Sequence, residues 1–284
     1  MNVIPKNENL KFKKYLVAHI DILGAKDMMK DEESASILLN KLNEIHISAS
    51  NSIGLLNESV RNEFEPLRDG FDCSDFNIQT KIFSDNICIY LEYPDPDKYL
   101  LYIAWFLQII AYYQYYSLFE YEILVRGAVN IGDFYSNDIF VIGSALSSAY
   151  ELETKEAFSP RILIGKELEF SFFKTLKRYD IPFTRKDLDG ALFIDYLIYT
   201  NQKDKSSKEL LIKHRDILIK KFKASKEYSH KLKILLSIIY HNRYCLNFNE
   251  WDVAHKTGEY LSALSKASEC IIDVNKLVME TSLL

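Results

Sequence analysis

The chain has 284 residues and a mass of 33.1 kDa, room for one large domain or a medium domain with an appendage, but not for a multi-domain assembly. An apolar share of 48%, 26% charged residues and only 9 Gly and 6 Pro exclude disordered, collagen-like and low-complexity classes. The net charge of −5 offers no global positive field to a nucleic acid, although 11 Lys/Arg against 4 Asp/Glu between Lys203 and Lys233 make a local +7. The four cysteines lie far apart without a CxxC pair, and residues 1–14 hold no apolar run of signal-peptide type. Reduced thiols in a cytoplasmic protein are the expectation.

Tyr15–Ile22 (YLVAHIDI) is a short apolar run bounded by Gly24, predicting a strand and a turn. Ile37, Leu38, Leu39, Leu42 and Ile45 then recur at helical spacing, predicting a helix from Lys26 to about Ser50. Residues 51–74 are weakly patterned and read as an irregular connection. The runs IQTKIF and ICIYLEY, separated by Ser84, Asp85 and Asn86, predict a hairpin with Asp85 at its tip, closed off by Pro94 and Pro96. Tyr99–Phe119 is 21 residues without a charge, near the roughly 20 that span a bilayer. Its six Tyr, two Gln and one Ser would be costly in lipid, so a buried core helix is expected. Strands follow at 123–131 and 138–142, a helix at 143–153 and a strand at 160–164. The order predicts an α+β protein with a ferredoxin-like antiparallel sheet. Beyond a boundary near residue 202 the pattern turns to amphipathic, lysine-rich helices, with Leu210, Leu211, Ile217, Leu218, Phe222, Leu232, Ile234, Leu235, Ile238 and Ile239 as buried stripes. This divides the chain into a region 1–202 and a helical region 203–284. The positive stretch suits solvated helix faces better than a nucleic-acid or membrane surface.

Two carboxylates stand out. Asp21 sits inside an apolar strand and Asp85 at a hairpin tip expected beside it. Carboxylates converging from neighbouring strands suit a Mg²⁺ ion that also holds a triphosphate. Read singly, Asp21 is equally a helix cap and Asp85 a turn residue. Arg126 is expected either to contact phosphate or to pair with Glu120, Glu122 or Glu151. Lys26, just past the turn, is able to reach a γ-phosphate but is by default a solvated surface lysine. His19 shares a strand face with Asp21 and is expected to be packed and hydrogen-bonded. Arg161 is expected in a surface ion pair.

Four segments resemble the motifs of class III nucleotidyl cyclases: VAHIDILG around Asp21, KIFSD from Lys81 to Asp85, LVRGAVNIG from Leu124 to Gly132, and GSALSSAYELE from Gly143 to Glu153. The resemblance covers roughly residues 15–200. It implies a cyclase-type sheet and two divalent cations, Mg²⁺ or Mn²⁺, held by Asp21, Asp85 and the Ile22 carbonyl. It further implies a head-to-tail homodimer with sites at the interface, and attack of a ribose 3′-hydroxyl on the α-phosphate. Lys81 and Phe140 fall at base-facing positions. The family's transition-state Asn and Arg align with Ser147 and Glu151, with Arg161, if not in its surface ion pair, as the alternative stand-in for that Arg, and its purine-selecting acid aligns with Phe140, which cannot accept a proton from an adenine amino group.

The combination F-S-D, R-G-A, A-Y-x-L-E and P-R-I, with KILLSIIYHN in the tail, resembles the pyrimidine cyclases of bacterial Pycsar antiphage defence. That branch implies cyclisation of CTP or UTP to cCMP or cUMP, a second messenger acting on a separate effector. Two alternatives stay open: a purine cyclase, and a catalytically dead cyclase fold that binds nucleotide.

Overall fold

Alternation along β1 (Lys13–Ile22) sets the centre of the sheet. Leu16, Ala18, Ile20 and Ile22 point to one face and Val17, His19 and Asp21 to the other. The computed structural model describes residues 11–51, 77–92, 99–175, 183–187, 189–200, 206–246 and 270–282. The expected connection over residues 52–74, the stop at Pro94–Pro96, Cys73 and the boundary near residue 202 lie outside these.

After β1 come α1 (Ala25–Met28) and α2 (Glu32–Asn51) in place of one continuous helix. The helix restarts because the Asp31 carboxylate accepts the Ser34 backbone N–H at 2.8 Å, an N-terminal cap. Leu38, Leu42 and Ile45 of α2 are buried, whereas Ile37 and Leu39 face solvent. The hairpin β2 (Ile78–Phe83) and β3 (Asn86–Glu92) forms where expected. The uncharged run becomes α3 (Tyr99–Tyr121), buried around Trp105, Phe106, Tyr113 and Phe119. Two of its polar groups bond inside the protein: Gln114 Nε2 donates to the Pro160 carbonyl at 3.1 Å and Ser117 Oγ to the Tyr113 carbonyl at 2.7 Å. Among the described residues no helix is long and apolar enough to cross a membrane.

β4 (Val125–Ser136) and β5 (Val141–Gly143) make an antiparallel arm leading into α4 (Ser144–Glu156). β6 (Ile162–Ile164), α5 (Lys166–Thr175), β7 (Thr184–Lys186), β8 (Leu192–Ile194) and a 3₁₀ turn (Tyr196–Thr200) follow. The sheet order is β2-β3-β1-β4-β6-β8-β7. Its first four strands carry the ferredoxin-like arrangement, with β1 antiparallel to both β3 and β4. One pair departs from an antiparallel sheet. β6 runs parallel to β4, Gly127 opposite Ile162, because α4 carries the chain back before β6 begins. Gly127 also lets β4 close on β1, since a Cβ there would stand 2.4 Å from the His19 carbonyl oxygen.

The late helices α6 (Ser206–Ala224), α7 (Tyr228–Cys245) and α8 (Val274–Ser282) pack into the same core as the sheet through Ile217, Leu218, Phe222, Ile234, Ile238 and Leu277. Leu232 and Ile239, expected in the buried stripe, are exposed, because the sheet side of α7 is met at Ile234, Ile238 and His241. Between α6 and α7 a fully buried relay forms. Tyr196 Oη and His214 Nε2 lie 2.8 Å apart, His214 Nδ1 and His241 Nδ1 2.8 Å, and His241 Nε2 and the Cys270 carbonyl 2.8 Å. A carbonyl only accepts, so His241 Nε2 carries its proton and Nδ1 takes one from His214, whose Nε2 accepts from Tyr196. Burial holds His241 down to about 4 and His214 well below the usual histidine value, keeping both neutral.

Candidate active site

The hairpin tip folds over the end of β1. Ser84 takes a left-handed φ of 61°, which turns the chain so that the Asp85 carbonyl accepts the Ile22 N–H at 3.1 Å. Asn86, opposite Asp21 in the ladder, donates through Nδ2 to Asp85 Oδ1 at 3.0 Å. Asp21, Ile22 and Asp85 therefore gather at one end of the sheet, as their place in the sequence implied.

Asp21 has a direct counter-charge. Arg126 lies opposite it in β4 and donates Nε to Asp21 Oδ2 at 2.8 Å. The same guanidinium places Nη2 2.9 Å from Glu153 Oε1 and donates Nη1 to the Ala157 carbonyl at 3.3 Å. The three expected partners are engaged elsewhere: Glu120 with Lys213, Glu122 with Lys220 and Glu151 with Lys155. Alternation along β4 decides this, because it aims Arg126 at the face that carries Asp21.

Glu153 completes the cluster. Only 3% exposed, it has its carboxyl pushed up by burial, against the pull of Arg126. His19 packs edge-on against Tyr150, with Nδ1 4.0 Å from Glu153 Oε2, and burial holds it below the usual histidine range. It is packed as expected. His19 Nδ1 lacks a hydrogen-bond partner among the described residues, and Glu153 Oε1 has only its ion pair with Arg126. Lys233 of α7 adds a cation: burial and Arg126 lower its affinity for a proton, while Asp21 and Glu153 raise it.

Sequence reading missed Glu153 and Lys233. Glu153 was legible: Ala145, Ala149 and Glu153 recur every four residues and form the buried stripe of α4, whereas Glu151 faces water. Lys233 depends on how α7 packs, which no local pattern states.

Lys81 and the arm carrying Phe140 come together, as Lys81 Nζ donates to the Asp138 carbonyl at 3.4 Å. Phe140 is 49% exposed on that arm. Lys81, Phe83, Asn86, His19, Asp21 and Arg126 all share the sheet face away from α2 and α3. A shallow cleft of about 320 Å³ between His19, Phe83, Asn86, Ser147 and Tyr150 opens on it. Lys26 is exposed on α1 and joins neither the Asp21 cluster nor this cleft. Arg161 is 8% exposed, not a surface group, and is held by Asp187 and Asp189.

Among the described residues no group of three or more His, Cys, Asp or Glu side chains stands ready to hold a metal. Two aspartates and a backbone carbonyl nevertheless fit a hard cation that keeps water and substrate phosphate in its shell, as Mg²⁺ does.

No protein-family profile and no curated protein sequence matches the chain. A crystal structure of the adenylyl cyclase CyaB from P. aeruginosa matches 65% of this chain and 93% of its own, at a TM-score of 0.41 and 16% sequence identity.

Proposed function

We propose that the protein is a cytoplasmic nucleotidyl cyclase that converts CTP or UTP to the 3′,5′-cyclic monophosphate and pyrophosphate, a messenger for a separate effector in antiphage defence. The observation that carries the reading is the docking of Asp85 on the Ile22 amide beside Asp21, which brings two carboxylates to one sheet end. In the reaction the 3′-oxygen bonds to the α-phosphorus as the bridge to the β-phosphate breaks. The electron pair leaves with pyrophosphate, and the 3′-proton passes to solvent. Two divalent cations, held by Asp21, Asp85 and the Ile22 carbonyl, would supply positive charge to the phosphate oxygens and ease loss of that proton. The chain's own part is positioning and fixed charge. Arg126 fixes the Asp21 carboxylate through Nε at 2.8 Å, and would contact phosphate where bound cations took that place.

Pyrimidine choice rests on Lys81 and Phe140. Lys81 offers a donor to the base carbonyl at O2 or O4, and the phenyl ring shortens the pocket while withholding the acceptor that adenine needs. Phe83, Phe140, Ile142 and Tyr150 are large apolar residues left exposed, and they support a homodimer in which each arm faces its partner's site. One observation favours a second reading, a nucleotide-binding module without turnover: Arg126 already neutralises Asp21. Incubation with the four nucleoside triphosphates and Mn²⁺ or Mg²⁺, read by mass spectrometry, separates the two. A cyclic pyrimidine nucleotide is the expected product, and bound but unchanged triphosphate would favour the second reading.

A further inference from the structure

A second, larger cleft of about 480 Å³ opens beside the Asp21 end of β1. One wall is the turn at Leu23 and Gly24 that follows Asp21, and the other is the bend between α6 and α7. Lys30, Lys221, Lys226, His230 and Lys233 line it, with Asp27 and Glu227 as the carboxylates. Glu227 lies 3.6 Å from His230 within α7, so the lysines outweigh the acids. Leu124 and Ile234 contribute an apolar floor, which strengthens any charge interaction made above it. Among the described residues no carboxylate stands within ion-pair distance of Lys221 or Lys233. Both are partly desolvated, their ammonium groups held below the usual lysine range by burial. Two partly buried cations facing a cavity call for an anion of high charge.

We propose that this cleft is a polyphosphate subsite built by the C-terminal helices, which takes the β- and γ-phosphates of the substrate through Lys221 and Lys233. The assignment rests on the triphosphate reading above and gives the helical extension a part in the site. Lys233 links the two regions, lining the cleft while sensing the charges of Asp21, Arg126 and Glu153. A triphosphate with its α-phosphate beside Asp21 would therefore run its tail along the Gly24 turn toward α6. Lys26, the lysine singled out for this task by its sequence position, is not among the residues of the cleft.

The test uses the full chain with Mg²⁺ and reads binding without turnover. Inorganic tripolyphosphate is titrated by calorimetry, alone and in competition with the α,β-methylene analogue of CTP or UTP. The wild type binds tripolyphosphate, Lys221→Gln and Lys233→Gln each weaken it about tenfold, and the nucleotide analogue displaces it. Lys213→Gln, on the same helix but paired with Glu120, leaves binding unchanged. Equal melting temperatures across the variants keep the comparison valid, and each single substitution is readable without the other. No binding of tripolyphosphate, or binding indifferent to both lysines, overturns the subsite. Lysine-dependent binding alongside the analogue shows a site for free polyphosphate and overturns the assignment to the substrate tail. Lysine-dependent, competitive binding in a protein that forms no cyclic product leaves the subsite standing and breaks the cyclase reading alone.

Discussion

Two of the polar clusters buried among the described residues are finished differently. In the relay of Tyr196, His214, His241 and the Cys270 carbonyl every ring nitrogen has a partner and every ring is neutral. In the cluster of His19, Asp21, Arg126 and Glu153, His19 Nδ1 has no hydrogen bond among the described residues, Glu153 Oε1 has only its ion pair with Arg126, and charges of both signs meet beside a cleft that His19 lines. A buried network that closes on itself fixes packing. One left open costs stability and persists where a ligand completes it. The relay ties the late helices to the 3₁₀ turn, while the open cluster lies where the chemistry is proposed.

The largest effect that separates the two is on turnover. Asp21→Asn or Asp85→Asn is expected to lower cyclase activity about a thousandfold, several kcal/mol of transition-state stabilisation, with the far-ultraviolet circular dichroism spectrum unchanged. Activity within a few-fold of wild type in a folded variant would remove these carboxylates from the mechanism. Arg126→Met should cost about 3 kcal/mol in chemical denaturation, because Glu153 is left buried without its cation. A variant as stable as wild type would mean that Glu153 takes up a proton at no cost.

The relay responds to pH instead. His241 titrates at about 4 in the folded chain against an ordinary value of 6.5, so below 6.5 the unfolded chain binds the extra proton. Its contribution is whole above pH 6.5 and is lost as pH falls toward 4, on the order of 3 kcal/mol in all. Denaturation at pH 7.5 and pH 5 should show the part of that loss incurred by pH 5, about 2 kcal/mol, and His241→Gln should reduce it. An unchanged slope in the variant would place the pH sensitivity elsewhere. A smaller effect, about 1–3 kcal/mol, is expected for Gly127→Ala, since the new methyl must push β1 away at the His19 carbonyl. A melting temperature equal to wild type would show that the strands separate freely there.

These differences also explain what was legible beforehand. Strands and hairpin could be read because alternation and turn residues act locally: IQTKIF is β2 residue for residue. Asp21 and Asp85 could be found together because a hairpin tip beside a central strand follows from the ferredoxin-like order. Partners of charged groups could not, since Arg126 chooses by strand facing and Lys233 by the packing of a helix more than a hundred residues away in sequence. His214 and His241 sat in phase with Ile217, Leu218, Ile234 and Ile238, which marks them as buried, but their meeting depends on two helices closing together.

The most direct measurement of the central claim is kcat/KM for CTP, UTP, ATP and GTP with the full chain and Mn²⁺ or Mg²⁺, with products identified by mass spectrometry. The account predicts a 3′,5′-cyclic pyrimidine monophosphate and pyrophosphate in equal amounts from CTP or UTP, with ATP and GTP poor substrates. Preferred use of ATP or GTP would contradict the roles of Lys81 and Phe140, and the absence of any cyclic product would contradict the cyclase itself.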